Sequence, residues 1–539
     1  MTTVTVWGGS SSTDWHTAAN WTNGVPTTSL IASIPSAPSN QPTMSSDGTA
    51  HALQLDSGAT LTGGSNITLY ITGESAGETD APPNGMAVNL DGAISGELSL
   101  NITTNATTSV DLNPTSGDIH DLTLASTGTS LIINSENTCT LTGDLTITKG
   151  KFNANSNNLS VAGTITVNSV AGGDAEIDIG DVVADCAKIA VESGDTITAA
   201  HSSNALTVDG NGIGTGRSID FTGIISGTLD IICTHPNTTE ADLSASSGVI
   251  NHLTLNHASL VMKMNSSATV TALTITAGEF STVDSGGNDK DLTVTGKTEI
   301  TSGTLTLNGS TCLLNSGGTA GGLVLNANAS VLADADSTVT MGSIEAGYDS
   351  SINIRLAGTN TINNYRSSTD KTMKLPPGVV DPVASTTSFT VTTSATNTEV
   401  SAVNLVNLTF TPASGTPNFN LDSGYGGIDI EGDLQIGTGV TITANSQAIA
   451  VGGDIHIDGT LTGGTSTISG RSVHIDGTFT HDGALTCTGI ASTNYAFQNL
   501  GTWTPGTSQT TTFSGDGAGT YHVKSNDWNN VILNAADEN

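Results

Sequence analysis

Residues 144–167 read DLTITKGKFNANSNNLSVAGTITV, and this stretch decides the fold. Leu145 and Ile147 alternate with Thr146 and Thr148, Leu159 and Val161 flank Ser160, and Ile165 and Val167 flank Thr166. Period-two alternation over such short runs predicts half-buried strands. The segments between them, around Gly150 and across 153–158, are too short to hold a crossover helix. Near-copies recur as ALTITAGEF at 272–280, DLTVTGKTEI at 291–300 and GDLQIGTGVTITANSQAIAVGGDIHIDGTL at 432–461. A chain that repeats such a unit winds a coil of strands, each turn resting on the last. The expectation is an all-β, right-handed parallel β-helix or β-solenoid with irregular loops and very little helix, at about 20 residues per rung and about 25 rungs.

Composition agrees. Gly is abundant (63 residues), aromatic residues are 4% and charged residues 12% of the 539, about half the usual charged share. The apolar residues are evenly spaced and mostly β-branched or Leu, which suits a thin, repeatedly stacked core. No sustained helical periodicity is present. Thirteen Lys and Arg against 49 Asp and Glu give a formal charge of −36. Such a field repels nucleic acid and anionic membranes, so neither is expected as a partner. The five cysteines, Cys139, Cys186, Cys233, Cys312 and Cys487, are scattered through strand-like runs without a CxxC pair. They read as small buried apolar residues rather than a disulfide frame or zinc site. The opening MTTVTVWGG has neither a basic nor an apolar leader region, and no run reaches about 18 apolar residues, so neither Sec export nor membrane insertion is expected.

Four regions are expected along the chain. Residues 1–50 hold Trp7, Trp15 and Trp21, followed by Pro26, Pro35, Pro38 and Pro42. They read as an N-terminal cap or docking segment, because the first edge of a solenoid must be covered. Residues 51–360 form the first part of the solenoid and contain an internal repeat. AISGELSL begins at Ala93 and IISGTLDI at Ile224; IHDLTL begins at Ile119 and INHLTL at Ile250; both pairs are 131 residues apart. Further copies of the second anchor are LVNLTF from Leu405 and WNNVIL from Trp528. Residues 361–384, with three prolines and most of the local basic charge, read as a protruding loop or boundary. Residues 385–539 form the second part and stop within a repeat, as if a partner chain or further polypeptide covers the edge.

The densest acidic stretch is GGDAEIDIGDVVAD, with Asp174, Glu176 and Asp178. On a strand, Glu176 and Asp178 share one face, which suits calcium or an acid/base pair; the plain alternative is a solvated outer face. Asp334 with Asp336, and Asp284 with Asp289, are similar loop candidates for calcium. HIDGT occurs at 456–460 and again at 474–478. One rung of separation stacks His456 on His474 and Asp458 on Asp476, a column that could ligate a metal or be only a polar ladder. Among the late aromatics, Trp503, Tyr521 and Trp528 are the glycan-contact candidates, with end-plugging of the core as the alternative. No nucleophile elbow, phosphate loop, dinucleotide fingerprint or HExxH is present. No catalytic residue and no required cofactor are assigned.

The segments GDLTI at 143–147, GDLQI at 432–436 and GDIHI at 453–457 resemble those of parallel β-helix proteins of the bacteriophage fibre, spike or virion-decoration type, and in style the passenger repeats of bacterial adhesins. The opening WGGSSSTDWHTAANWTNGVP is similar to repeats at the start of large surface β-solenoid proteins. The resemblance implies a non-enzymatic structural and adhesive virion protein. Its expected partners are further copies of itself, with a trimer favoured, other virion proteins and a host surface glycan. The alternatives are a bacterial surface or secreted adhesin located outside the cell, and a tailspike-like enzyme that degrades polysaccharide.

Overall fold

The computed structural model describes the chain except residues 1, 37, 75–84, 105–108, 115–118, 126–131, 171–174, 181, 200–204, 211–215, 236–239, 315–321, 348, 350, 365–370, 377–378, 381–386, 394–397, 422–426, 490–494, 516–522, 525–527 and 535–539. It is 61% strand, wound as a parallel β-solenoid of about 19 turns. The only helical element among the described residues is a single 3-10 turn, Ala18–Asn20. No helix is long and apolar enough to cross a membrane. The chain divides into two compact units, Met1–Ala268 and Thr269–Asn539.

The first unit shows how the opening stretch folds. Leu145–Asn153 and Leu159–Val167 are its two strands, each bent into two straight segments. The chain turns at Gly150 (φ 90°) and again at the Asn-rich corner, where Asn155 (φ 51°) and Ser156 (φ 65°) take the left-handed conformation. After the third straight segment it returns to its starting face one rung on: Leu145, Thr146 and Ile147 pair in parallel with Ile165, Thr166 and Val167. Inward-facing Leu145, Ile147, Phe152, Leu159, Val161, Ile165 and Val167 are buried. Burial of each such side chain contributes about 1.5–3 kcal/mol, and this drives a backbone of low intrinsic order into register.

The outward Asn and Asp residues also have a structural task. Asn134 Nδ2 donates to Asp111 Oδ1 (3.3 Å), and Asn153 Nδ2 donates to Asn134 Oδ1 (3.0 Å). A second column has Asn113 donating to Asn89 (2.6 Å) and Asn137 donating to Asn113. Side chains in register along parallel rungs thus add hydrogen bonds along the stack.

The N-terminal segment is built on indoles. Trp21 lies edge-on to both Trp7 (centroids 5.0 Å) and Trp15 (4.8 Å), and all three are buried. Trp21 Nε1 donates to the Trp15 carbonyl (2.8 Å) and Trp7 Nε1 to the Asn40 carbonyl (2.7 Å). Strand Thr3–Val6 pairs with Leu30–Ile34, which pairs with Leu53–Leu55.

The second unit repeats the same three-sided turn. Leu434–Ile436, Thr441–Thr443 and Ile449–Val451 are followed by Asp454–Ile457, which pairs back on Leu434–Ile436. Its ANS corner uses Asn445 (φ 48°) and Ser446 (φ 64°) as the first unit uses Asn155 and Ser156.

One expectation changes. Turns number about 19 rather than about 25 because corners consume more chain than a minimal rung. Ile455 pairs with Val473, 18 residues on, whereas Ile189 pairs with Ile219, 30 residues on. The contact division falls between Ala268 and Thr269. The described strand residues of segment 361–384 stay in the ladder: Thr361 pairs with Thr390, and Met373 pairs with both Ile344 and Val400.

All five cysteines are buried and free. Burial pushes the thiols of Cys139, Cys233, Cys312 and Cys487 up to about 12, and raises Cys186 well above its ordinary value. They behave as core apolar groups, in keeping with the sequence reading.

Candidate functional site

The GD dipeptides have a mechanical explanation that leads to the site. Asp433 Oδ1 accepts a hydrogen bond from the Asp454 backbone N–H one rung on (2.8 Å), and Asn407 Oδ1 does the same for the Asp433 N–H (2.7 Å). The residue before each acceptor's partner is glycine for lack of space. A Cβ on Gly453 would lie 2.2 Å from Asp433 Oδ1, and one on Gly432 would lie 2.4 Å from Asn407 Oδ1. The first unit repeats the device: Asp121 accepts from the Asp144 N–H (2.8 Å) across Gly143, and Asp144 from the Thr164 N–H (2.7 Å) across Gly163. Hence IHDLTL stands one rung before the GD at 143–144, and LVNLTF one rung before the GD at 432–433, which is followed by another at 453–454.

In the second unit this ladder forms one wall of a polar face. It ends at Asp454, whose carboxylate receives Arg471 Nε (2.8 Å), Arg471 Nη2 (2.5 Å) and Ser472 Oγ (2.7 Å). The guanidinium holds the Asp454 carboxyl below the usual carboxylate range, against the opposing effect of partial burial. Two residues further along each rung a second column stands in register: Thr409, Gln435, His456, His474, Gln498 and Lys524. Between the columns lies an open groove of about 380 Å³ lined by Asn407, Thr409, Asp433, Gln435 and His456.

His456 and His474 stack as the repeated HIDGT implies, with ring centroids 5.0 Å apart and planes 14° from parallel. Their neighbours Ile457 and Ile475 are buried. His474 is held at both nitrogens, Nδ1 by Gln498 Oε1 (3.1 Å) and Nε2 by Ser472 Oγ (3.1 Å). The two imidazoles lie face to face, and both His474 nitrogens are engaged by Gln498 and Ser472, so the pair forms a stacked column rather than a set of converging ligands.

Glu176 and Asp178 do share a face, but Lys151 occupies it. Its Nζ lies 2.9 Å from Glu176 Oε1 and 2.8 Å from Asp178 Oδ2. Partial burial alone would lower the lysine pKa; the hydrogen bonds to Asp178 and Glu176 outweigh it and hold the pKa above the usual lysine value. Further bonds come from Thr198 Oγ1 to Glu176 (3.0 Å) and from the Gly180 N–H to Asp178 (3.0 Å). Lys151 therefore engages both carboxylates of this pair. Asp174 lies outside the described residues. Asp284 is likewise engaged, by Lys290 Nζ (3.0 Å) and by the N–H groups of Gly286 and Asn288. Among the described residues no group of three or more His, Cys, Asp or Glu side chains is placed to hold a metal ion.

The late aromatics turn inward. Trp503 is 4% exposed and packs against Phe479 (4.8 Å) and Phe497 (5.6 Å). It is a core residue, which corrects its assignment as a glycan contact. Trp528 is half-buried on Phe497 (4.7 Å) and Phe513 (6.0 Å); Tyr521 lies outside the described residues. The groove carries no Trp, Tyr or Phe, so sequence reasoning aimed at those residues reached only His456, and that as a metal candidate. The signal that marks it is the polar residue at the fourth position of each GDΦxΦ rung. No protein-family model, curated protein or solved structure matches this chain.

Proposed function

We propose that the chain is a structural and adhesive virion component, a bacteriophage fibre, spike or capsid or tail decoration, with no catalytic role. In this reading the turns are a support and the outer polar faces meet the host surface. The observation that carries it is the doubling of the parallel ladder by side-chain columns, Asp111–Asn134–Asn153 in one unit and Asn407–Asp433–Asp454 in the other. Such columns tie each turn to its neighbours, as a load-carrying support requires. The excess of acidic groups and the shortage of long apolar surface favour a hydrated exterior. Association with further copies, a trimer first, and with other virion proteins belongs to the same proposal.

The test is immunogold electron microscopy of purified particles and of cells from the source culture, using antibody to this chain. Label at one recurrent position on virions is the expected result. Label on cell surfaces of particle-free cultures replaces this reading with a bacterial adhesin. Release of reducing ends from host polysaccharide by the purified chain replaces it with a degradative enzyme.

A further inference from the structure

We propose that the groove between the two polar columns of the second unit binds a neutral oligosaccharide, lying along the stack across the rungs of Thr409, Gln435 and His456. This rests on the adhesive reading and gives it a site and a ligand class.

The wall is already fixed before any ligand arrives. Asn407 and Asp433 each spend one side-chain oxygen on the next rung's backbone N–H. His456 is held flat against His474, which is itself clamped by Gln498 and Ser472. The groove is lined by Asp433, exposed Gln435, Thr409 and His456, residues that carry a carboxylate, an amide, a hydroxyl and an imidazole. That is a mixed set of donors and acceptors with no apolar wall.

The set selects by elimination. A hydroxyl both donates and accepts, so a polyhydroxylated ligand satisfies every group present. An apolar ligand finds nothing to bury against. An extended peptide adds to an open sheet edge through its backbone, and here the rungs on both sides are paired: Leu434–Ile436 with Leu408–Pro412 and with Asp454–Ile457. Nucleic acid and anionic glycans meet Asp433 in the groove and the −36 charge of the chain. From the Thr409 rung to the His456 rung is two steps of about 4.8 Å, a span of roughly two sugar rings. Without a Trp or Tyr platform a single groove binds weakly, and useful attachment comes from several grooves presented together.

The test is saturation-transfer NMR on the intact chain with neutral gluco-, galacto-, manno- and N-acetylglucosamine oligomers, and with a heparin oligomer as the anionic probe. Transfer to at least one neutral oligomer is expected, falling at least fivefold in the Gln435→Ala/His456→Ala double variant, whose groups take no part in the backbone-holding ladder. Unchanged thermal unfolding of the variant is the control for folding, and the single variants stand in if the double one unfolds early. Absence of transfer to every neutral oligomer, equal transfer to heparin, or transfer unaffected in the variants overturns the proposal. Any of these leaves the virion reading intact if immunogold still finds the chain on particles.

Discussion

Gly453→Ala tests the logic of the GD rungs directly. The new Cβ would sit 2.2 Å from Asp433 Oδ1 and 2.7 Å from the carbonyl carbon and oxygen of Gly432. The carboxylate must move, and its 2.8 Å bond to the Asp454 N–H goes with it. Overpacking costs about 1–3 kcal/mol, and a lost hydrogen bond to a charged acceptor about 1.5–3 kcal/mol. Exposure of Asp433 puts both toward their lower ends, for a total of about 3 kcal/mol. Asp433→Ala alone loses the bond without the collision, at about 1.5 kcal/mol. The double variant should then cost about 2 kcal/mol less than the sum, because the hydrogen bond is lost only once and the second change removes the atom the first one strikes. Gly64→Ala is the control: its nearest atom is 3.7 Å away, and the change should stay within about 0.5 kcal/mol. Urea unfolding gives the energies. Native-state hydrogen exchange gives the location, with the Asp454 amide accelerated and the equivalent Thr164 amide in the first unit unchanged. A neutral Gly453→Ala, or strict additivity in the cycle, would refute the reasoning.

Three further outcomes are expected. The five buried thiols should resist a maleimide at pH 8 in the native protein and all react in denaturant; rapid labelling of even one in the folded chain would contradict its burial. His481 is fully buried without a well-formed hydrogen bond at either ring nitrogen, and burial lowers its pKa against the opposing pull of nearby Ala484 and Gly464 backbone groups and of Asp482; because the folded state resists the proton, stability should be complete above the ordinary value of about 6.5 and fall as pH drops below it. His481→Leu should gain about 1 kcal/mol at neutral pH and flatten that part of the stability profile measured by urea titration; loss of stability at every pH would count against it. Trp21→Ala removes the shared partner of Trp7 and Trp15 and should cost about 3–5 kcal/mol locally, read as early proteolysis within residues 1–50 while later rungs stay protected.

Much of this architecture is legible in the sequence because a solenoid writes its geometry locally. Alternation at Leu145, Ile147, Leu159 and Val161 gives the inward positions, and the 18-residue repeat of HIDGT gives the register of His456 on His474. The paired ISG segments fall at equivalent corners, where Gly96 (φ 80°) and Gly227 (φ 89°) each rest on a carbonyl of the rung before, Gly63 and Ala199. What the sequence conceals is partnership across rungs. Nothing near Glu176 and Asp178 shows that Lys151, one turn earlier, neutralises both. Nothing near Trp503 shows that Phe479 and Phe497 enclose it. The groove is hidden for the same reason, since its five lining residues are spread from 407 to 456 and look like ordinary surface polarity.

The unequal spacing of turns has a practical meaning. Twelve more residues separate Ile189 from Ile219 than separate Ile455 from Val473, yet both pairs sit in the same kind of ladder. The added chain falls in sequence between the straight segments, which keep their partners. Such a scaffold can acquire foreign peptides at its bends, by evolution or by engineering, and display each one at an address set by the rung beneath it.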